Sequence, residues 1–338
     1  MKKTCILFAI LMLSATSAFS QTLINGAGAS FPYPLYSKWF AEYRKVNSSV
    51  LVNYQSVGSG AGIKQVSDGI VDFGATDGPM TDEQLQNSKV RVLHFPTVLG
   101  AVVPVYHLPG DPVLNFTPEA LAGIYLGTVT RWNDPVIANA NPGIRLPGAG
   151  IAVVHRSDGS GTTYCWTDYL SKVSEIWRTK VGRGTAVNWP VGLGGKGNEG
   201  VAGLVQQVPN SFGYVELIYA IQNHISYGLV QNKSGRFVKA SIESVTEAAG
   251  AVAKNMPDDF RVSITNGNGK GVYPISTFTW LLIPVQIKDQ IKGQGLAGFL
   301  RWMLKDGQRF AAPLSYAPLP KEVVDKEEKA ISKIRAGQ

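Results

Sequence analysis

Two hydrophobic patterns alternate along this chain. Short apolar runs, typical of buried strands, lie at 51–57, 71–76, 90–96, 102–106, 151–155, 212–217 and 273–284. Apolar residues recur every three or four positions, as in amphipathic helices, at 32–45, 63–70, 163–173 and 296–312. This alternation predicts an α/β fold with mostly parallel sheets. In such folds, ligands bind at the carboxyl ends of strands, where the chain enters a helix.

Three loops of small residues stand at such strand-to-helix junctions. Their sequences are GAGASF (26–31), SVGSGAG (56–62) and RSDGSGT (156–162). Hydroxyl groups stand at or near the predicted helix starts, and they belong to Ser30 (at the predicted N-cap), Ser59, Ser160 and Thr162. Free backbone N–H groups and the helix dipole make a helix start favourable for an anion. Three such loops in one chain indicate a shared anion site.

The third loop also carries charge. Arg156 supplies a planar guanidinium group that suits a tetrahedral oxyanion, and Asp158 can hold that group or accept a proton. Two glycine-rich stretches, 191–200 and 266–271, lack the Lys-Ser or Lys-Thr pair that follows the glycines of a phosphate loop. We therefore expect the anion to be bound by the three loops and not by a nucleotide-type loop.

The order of the patterns also predicts how the chain is organised. Two of the three loops precede residue 65, the third follows residue 150, and a turn-rich segment separates them. Another buried strand and a helix follow residue 270. The simplest arrangement joins the N-terminal part and the C-terminal part into one domain, with the central part forming a second. The anion would then lie between the two domains.

The first twenty residues have the pattern of a secretory signal peptide. Lys2 and Lys3 precede the apolar run 6–13, and small residues lead to a predicted cleavage near Ser20–Gln21. The apolar run is too short to span a bilayer, so we expect a soluble, exported protein. Cleavage would remove Cys5 and leave Cys165 as a single buried thiol without a disulfide partner.

Charge and composition exclude several functions. The chain has 338 residues and a formal charge of +8, which falls to +6 when the two lysines of the signal are removed. Its lysines and arginines are scattered, and no nucleic-acid-binding motif is present, so we expect a weak attraction for anions and no nucleic-acid partner. The four histidines show no metal-ligand spacing, and the sequence predicts neither a metal site nor a cofactor.

A secreted hydrolase is one alternative. Ser59 and Ser160 are flanked by glycines, but Val57 and Asp158 occupy the first glycine position of a nucleophile elbow. No histidine is spaced as a base partner, and we expect no enzymatic activity. A binding protein for another oxyanion (sulfate, molybdate or a phosphonate) and an adhesion protein are further alternatives.

Several longer motifs resemble one known family. GAGASFPYPLYSKWF, YQSVGSGAGIKQ, VDFGATDGPM, YLGTVTRWNDPVI, HRSDGSGTTY and GLGGKGNEGVAGLV occur in the order and spacing of the periplasmic phosphate-binding proteins of bacterial phosphate ABC transporters. The resemblance extends from residue 24 to about residue 320. It implies a type II periplasmic-binding-protein clamshell with two mixed sheets. Lobe I would comprise 21–98 and 272–338, lobe II would comprise 99–271, and the hinge would lie near 97–105 and 270–275.

The resemblance also implies a ligand, a partner and a set of binding residues. The protein would be a periplasmic monomer that binds inorganic phosphate with high affinity and delivers it to the membrane permease of the transporter. Carried over motif by motif, the phosphate ligands are Ser30, Phe31, Ser59, Asp77, Arg156, Ser160, Gly161 and Thr162, with Asp158 supporting Arg156. Asp77 would accept the proton that phosphate still carries near neutral pH. Sulfate has no such proton, so Asp77 would set the selectivity for phosphate.

Overall fold

A computed structural model describes residues 21–337, so the predicted signal peptide at 1–20 lies outside the described residues. The strands are β1 (Thr22–Gly28), β2 (Val50–Ser56), β3 (Phe73–Thr76), β4 (Val92–Tyr106), β5 (Asn115–Phe116), β6 (Ala152–Arg156), β7 (Leu193–Gly195), β8 (Ser211–Glu216), β9 (Ser226–Tyr227), β10 (Leu229–Gln231), β11 (Phe237–Val238), β12 (Ser276–Pro284), β13 (Gln286–Ile287) and β14 (Arg335–Ala336).

The α-helices are α1 (Tyr33–Val46), α2 (Ser59–Ser67), α3 (Asp82–Gln86), α4 (Pro118–Leu126), α5 (Pro135–Ala138), α6 (Gly161–Val173), α7 (Glu175–Lys180), α8 (Gly197–Gln207), α9 (Leu217–Gln222), α10 (Ile242–Ala253), α11 (Gln290–Lys305) and α12 (Lys321–Ile331). Two short 3₁₀ helices, Gly307–Phe310 and Ala312–Leu314, follow α11. None of the helices within residues 21–337 combines the length and apolar character needed to cross a membrane.

Nine strands form the main sheet. Their order is β2-β1-β3-β12-β4-β8-β6-β7, and β9 pairs with β4 beside this path. The β1–β2, β1–β3, β6–β8 and β6–β7 pairs are parallel, as predicted. The pairs made by the two central strands, β4 and β12, are antiparallel. The mixed α/β class is confirmed, with parallel pairing concentrated on either side of these central strands.

The long strand β4 divides the sheet into two halves. Residues Val92–Ala101 pair with β12, and residues Val102–Tyr106 pair with β8. We define the first half as β2, β1, β3, β12 and the start of β4, and the second half as the end of β4 with β8, β6 and β7. At the change of partner, the Val102 N–H donates to the Ile275 carbonyl at 2.9 Å. The two halves are therefore joined by neighbouring segments of backbone.

The sequence predicted two strands where β4 is one. The two predicted runs, 90–96 and 102–106, leave a gap that contains Gly100. In the structure Gly100 remains extended within β4, and a Cβ there would collide with the ring of Phe31 at 2.6 Å. The glycine therefore provides space for a neighbouring side chain and does not mark a turn. All nine residues of β12 are buried, and coverage of both faces accounts for the long, mostly apolar run at 273–284.

One buried acid on the first half gives a test of the fold. Glu327 of α12 is fully buried, and neither carboxyl oxygen has a hydrogen-bond partner among residues 21–337. Burial raises the pKa of Glu327 well above its ordinary value of 4.5. The native state thus keeps a proton that the unfolded chain releases above that pH, so the free energy of unfolding should fall as the pH rises.

We expect Glu327→Gln to make this fall shallower, by up to about 1.4 kcal/mol per pH unit above about pH 5. Urea unfolding at several pH values measures the slope. Glu328→Gln, at the exposed neighbouring position, should leave the slope unchanged. Identical slopes in the parent and both variants would contradict the assignment of a protonated Glu327.

Candidate functional site

Ser30 and Phe31 lie in the turn between β1 and α1. Ser30 is 2% exposed, and its Oγ accepts hydrogen bonds from the backbone N–H of Asn198 at 3.3 Å and from Asn198 Nδ2 at 3.0 Å. The predicted N-cap position of Ser30 is wrong, since α1 begins at Tyr33 with Pro32 as its cap. The Ser30 carbonyl instead closes a turn by accepting from the Tyr33 N–H at 3.2 Å. The extra turn leaves the Ser30 hydroxyl facing the second half of the molecule.

Ser59 is the first residue of α2, directly after Gly58. Gly58 has a φ of +93°, which a side chain rarely adopts, and a Cβ there would also collide with the Asp158 carboxylate. Ser59 is fully buried, and its Oγ accepts from the backbone N–H of Asp77 at 3.3 Å. The glycine therefore brings the start of α2 against both Asp77 and the third loop.

Asp77 follows β3 and is 1% exposed. Its Oδ1 accepts from the Thr279 hydroxyl at 2.9 Å, and its carbonyl accepts from Thr277 at 3.1 Å. Burial raises the pKa of Asp77 to about 7, although the Thr279 hydrogen bond and the Arg156 charge oppose this increase. A carboxyl group with this pKa can hold or accept a proton near neutral pH.

Arg156 and Asp158 form a bidentate ion pair after β6. Arg156 Nε donates to Asp158 Oδ1 at 2.8 Å, and Nη2 donates to Oδ2 at 2.6 Å. The Arg156 side chain is 1% exposed and the Asp158 side chain is 13% exposed, so the ion pair is largely buried. Burial alone would raise the pKa of Asp158, but hydrogen bonds and charge from Arg156 hold that pKa below its ordinary value. Arg156 is therefore oriented and largely neutralised before any anion arrives.

Ser160, Gly161 and Thr162 form the start of α6. Ser160 is the N-cap, and its Oγ accepts from the Thr163 N–H at 3.0 Å. Gly161 and Thr162 occupy the first two positions of the helix, where backbone N–H groups have no partner within the helix. Thr162 Oγ1 is 3.4 Å from Arg156 Nη1, which donates to it. This helix start offers two N–H groups together with two hydroxyls.

The four hydroxyls of the site share one hydrogen-bonding pattern. In each, the oxygen already accepts at least one N–H: from Asn198 for Ser30, from Asp77 for Ser59, from Thr163 for Ser160, and from Arg156 and Asn198 for Thr162. A hydroxyl has one proton and two lone pairs. Ser30 and Thr162 each accept two N–H groups, so their protons are left to donate elsewhere. Ser59 and Ser160 each accept one N–H group, and their protons can donate as well. Together with free backbone N–H groups, these hydroxyls suit a ligand whose oxygens only accept.

The three predicted loops meet at one point. A Cβ built on Gly161 would lie 2.5 Å from Asp77 Oδ2 and 2.5 Å from Ser59 Oγ. The Gly60 N–H also donates to the Gly159 carbonyl at 2.8 Å, across the two halves of the molecule. These contacts bring Asp77 together with the second and third loops, and Ser30 of the first loop is linked to Thr162 of the third through Asn198. Phe31 lies beside the site as the sequence neighbour of Ser30.

Sequence analysis missed two polar residues at the site. Asn198 is fully buried near the start of α8 and reaches both Ser30 and Thr162, while Thr279 of β12 supports Asp77. A signal for Asn198 existed, because the glycine-rich stretch 191–200 is a fourth strand-to-helix junction, from β7 to α8. Thr279 has no local signal, since it lies about 200 residues from Asp77 and beside a register shift of the β12–β4 pair at Thr279/Trp280. Such irregularities re-aim side chains at functional sites.

Other reactive groups have structural partners. The His155 ring stacks on Trp189 at 4.8 Å, and its Nδ1 lies 2.9 Å from the Arg156 carbonyl. Burial raises the pKa of the Cys165 thiol well above its ordinary value, as expected of a packed side chain. Within residues 21–337, no group of histidine, cysteine and acidic residues is arranged to hold a metal ion.

Comparison with known proteins gives consistent matches along the chain. A family model described as a PBP superfamily domain matches residues 13–306. Phosphate-binding protein PstS of Xylella fastidiosa (strain Temecula1) is 47% identical over 309 residues, covering 90% of this chain and 84% of that protein. Phosphate-binding protein PstS of Pasteurella multocida is 44% identical over 328 residues, covering 96% of this chain and 94% of that protein.

A solved structure matches the fold. PfluDING, a high-affinity periplasmic phosphate-binding protein bound with phosphate, superposes with a TM-score of 0.74 at 18% identity, covering 91% of this chain and 93% of the other. The two-lobed periplasmic-binding-protein fold predicted from the sequence is thereby confirmed.

Proposed function

This chain belongs to the PstS family of phosphate-binding proteins, and on that premise we propose that it binds one inorganic phosphate ion and delivers it to the permease of a phosphate ABC transporter. The phosphate ligands would be the loop residues at which the two halves of the molecule meet. In this role the protein is a binding protein and carries out no reaction.

The observation that carries this proposal is the set of donors at the site. Four hydroxyls have their oxygens engaged by N–H groups, and two helix starts contribute backbone N–H groups. Arg156 adds a planar cation that its pair with Asp158 holds in place. Since that pair is close to neutral, most of the attraction would come from fixed dipoles, which suit a compact oxyanion.

Asp77 supports phosphate as the particular oxyanion. A carboxylate among the donors would repel a fully ionised anion, whereas near neutral pH phosphate still carries a proton that a carboxylate can accept. The buried position of Asp77 and its pKa of about 7 are suited to sharing one proton with the ligand. Sulfate would leave two anionic oxygens facing each other in a buried site.

Closure of two lobes would couple binding to transport. We place lobe I at 21–98 and 272–338 and lobe II at 99–271, with the hinge near 97–105 and 270–275. The change of partner along β4 at Ala101/Val102 supports this hinge. Phosphate contacts to Ser59 and Asp77 in one lobe and to Arg156 in the other would stabilise the closed form, which the permease can distinguish from the open form. The predicted signal peptide would direct a monomer to the periplasm.

Calorimetric titration tests the proposal directly. Residues 21–338 are unfolded to remove bound phosphate, refolded and titrated with phosphate, sulfate and molybdate near neutral pH. We expect one-to-one phosphate binding at micromolar affinity or tighter, with no heat from sulfate. Equal binding of all three anions would indicate a general oxyanion-binding protein. Hydrolysis of phosphomonoesters by the same preparation would favour the secreted hydrolase, and folded protein that binds none of the ligands would overturn the proposal.

A further inference from the structure

Asn198 makes contacts that tie the candidate site to the joint between the two halves. Its Nδ2 donates to Ser30 Oγ at 3.0 Å and to Thr162 Oγ1 at 3.2 Å, while its Oδ1 accepts from the Glu216 N–H at 3.0 Å. Glu216 ends β8 and pairs with Val102, where β4 changes partner. The buried amide thus contacts one hydroxyl on each half and the backbone next to the hinge.

The direction of the amide follows from these contacts. An amide oxygen only accepts and an amide nitrogen only donates, so the Glu216 N–H must face Oδ1. The two protons of Nδ2 must then point to the oxygens of Ser30 and Thr162. Both oxygens are acceptors in these contacts, and their own protons have to turn away from Asn198.

Ser30 receives several hydrogen bonds from the second half of the molecule. The backbone N–H of Asn198, in the first turn of α8, is a second donor to Ser30 Oγ at 3.3 Å. The Tyr219 hydroxyl also donates to the Ser30 carbonyl at 2.6 Å. These contacts come from the second half of the molecule to a turn of the first half, so they exist only while the two halves are together.

We propose that Asn198 is a positioning residue for the anion site. It sets the Ser30 and Thr162 hydroxyls as donors, one on each lobe, and it forms its bonds to Ser30 on closure. The proposal rests on the proposed function, because the ligand that receives the two protons is phosphate. As a consequence, Asn198 determines how strongly the Ser30 and Thr162 hydroxyls bind phosphate, although Asn198 itself need not contact the ion.

Two substitutions distinguish this role from simple packing. Asn198→Ala removes the donor, so the two hydroxyls can still reach phosphate but are no longer fixed, and we expect affinity to fall about 10-fold. Asn198→Asp keeps the shape, but its carboxylate accepts the protons of Ser30 and Thr162 and withdraws them from the ligand. We expect a loss of about 100-fold or more. A packing role predicts the reverse order, because the aspartate retains the volume of the asparagine.

A double-mutant cycle with Ser30→Ala removes the effect of the introduced charge. If Asn198 acts through Ser30, Asn198→Ala should cost less in the Ser30→Ala background than in the parent. Titration with inorganic phosphate measures affinity, and the melting temperature without ligand measures stability. Asn141→Ala is the control, since Asn141 is a buried asparagine bonded to the Asn115 backbone in the second half. It should lower the melting temperature and leave phosphate affinity unchanged.

The outcomes separate this inference from the proposed function. A parent protein that fails to bind phosphate would refute the function itself. A parent that binds, with strictly additive Ala variants or with the Ala variant weaker than the Asp variant, would refute only the role of Asn198. If Asn198→Asp does not fold, the cycle with the two Ala variants still decides between coupling and additivity.

Discussion

Asp77→Asn should admit sulfate to a site that otherwise excludes it. In the parent we expect phosphate to be favoured over sulfate by about 10⁴-fold or more, the discrimination typical of a buried group left without its hydrogen bond. The substituted amide carries no charge and can donate a proton to a fully ionised oxygen. Sulfate would then bind, phosphate would lose the acceptor for its own proton, and the two affinities should approach each other to within about 100-fold.

The surroundings of Asp77 make this substitution a clean one. The Thr279 hydroxyl donates to Oδ1, and the amide oxygen of an asparagine can accept the same bond. Asp77 Oδ2 faces Gly161, and in the Asp77→Asn variant the amide nitrogen would take the place of this oxygen. The substitution therefore changes charge and proton capacity at the ligand-facing oxygen while preserving the support from β12.

Titrations of both anions at fixed ionic strength measure the selectivity. Asp72→Asn is a matched control, because Asp72 immediately precedes β3 at its other end and pairs with Lys292 away from the site. It should leave the ratio of phosphate to sulfate affinity unchanged. Full sulfate rejection by Asp77→Asn would mean that selectivity resides elsewhere among the donors.

Asp77→Asn should also change how the stability of the phosphate-free protein depends on pH. The pKa of Asp77 is about 7 in the folded state against an ordinary value of 3.8, so the native state binds more protons between these two values. The contribution of Asp77 to stability is therefore fully present below about pH 4 and is lost as the pH rises through 7. Asp77→Asn should remove this part of the pH dependence, which urea unfolding without phosphate would reveal.

Local patterns were sufficient to predict the fold class and the loops of the site. The alternation of strand and helix patterns follows from which faces are buried, and the helix starts at Ser59 and Ser160 carry short-range signals of glycine and hydroxyl residues. These signals do not depend on distant parts of the chain. The three loops could therefore be predicted from local sequence, and the presence of three similar loops in one chain indicated a shared site.

The errors share a dependence on distant contacts. The pattern around Ser30 is typical of an N-cap, but its hydroxyl is engaged by Asn198, about 170 residues further along the chain. Arg156 and Asp158 gave no indication of depth, because burial of the pair depends on packing of loops from the other half. The gap between the predicted runs 90–96 and 102–106 contains Gly100, whose missing side chain leaves space for the Phe31 ring. Sequence spacing records none of these relations.

Gly161→Ala should reduce phosphate affinity by about 10³-fold or more without unfolding the protein. The new Cβ would lie 2.5 Å from Asp77 Oδ2, 2.5 Å from Ser59 Oγ and 2.6 Å from the Asp77 backbone nitrogen. Carbon atoms essentially never approach so closely, and the backbone atom cannot rotate away. Since Asp77 and Ser59 belong to the first half and Gly161 to the second, separation of the halves is the simplest relief of the collision.

Incomplete closure would cost the ligand one side of its binding site. The donors at the start of α6 would remain, but Ser30, Ser59 and Asp77 would be drawn back, and hydrogen bonds to a charged ligand contribute about 1.5–3 kcal/mol each. Helix α6 itself should tolerate alanine, which is the best helix former and which removes the flexibility of glycine. The loss is therefore expected in binding and in the closed conformation, with stability preserved.

Titration with phosphate and small-angle scattering test both parts of this expectation. The parent should contract on adding phosphate, whereas Gly161→Ala should keep the larger radius of gyration at phosphate concentrations that saturate the parent. Gly203→Ala is the matched control, because Gly203 lies in α8 with no atom within 4 Å of the new Cβ. It should bind and close like the parent. Normal affinity in Gly161→Ala would show that the contact between Gly161 and Asp77 yields easily, and that closure is governed by other contacts.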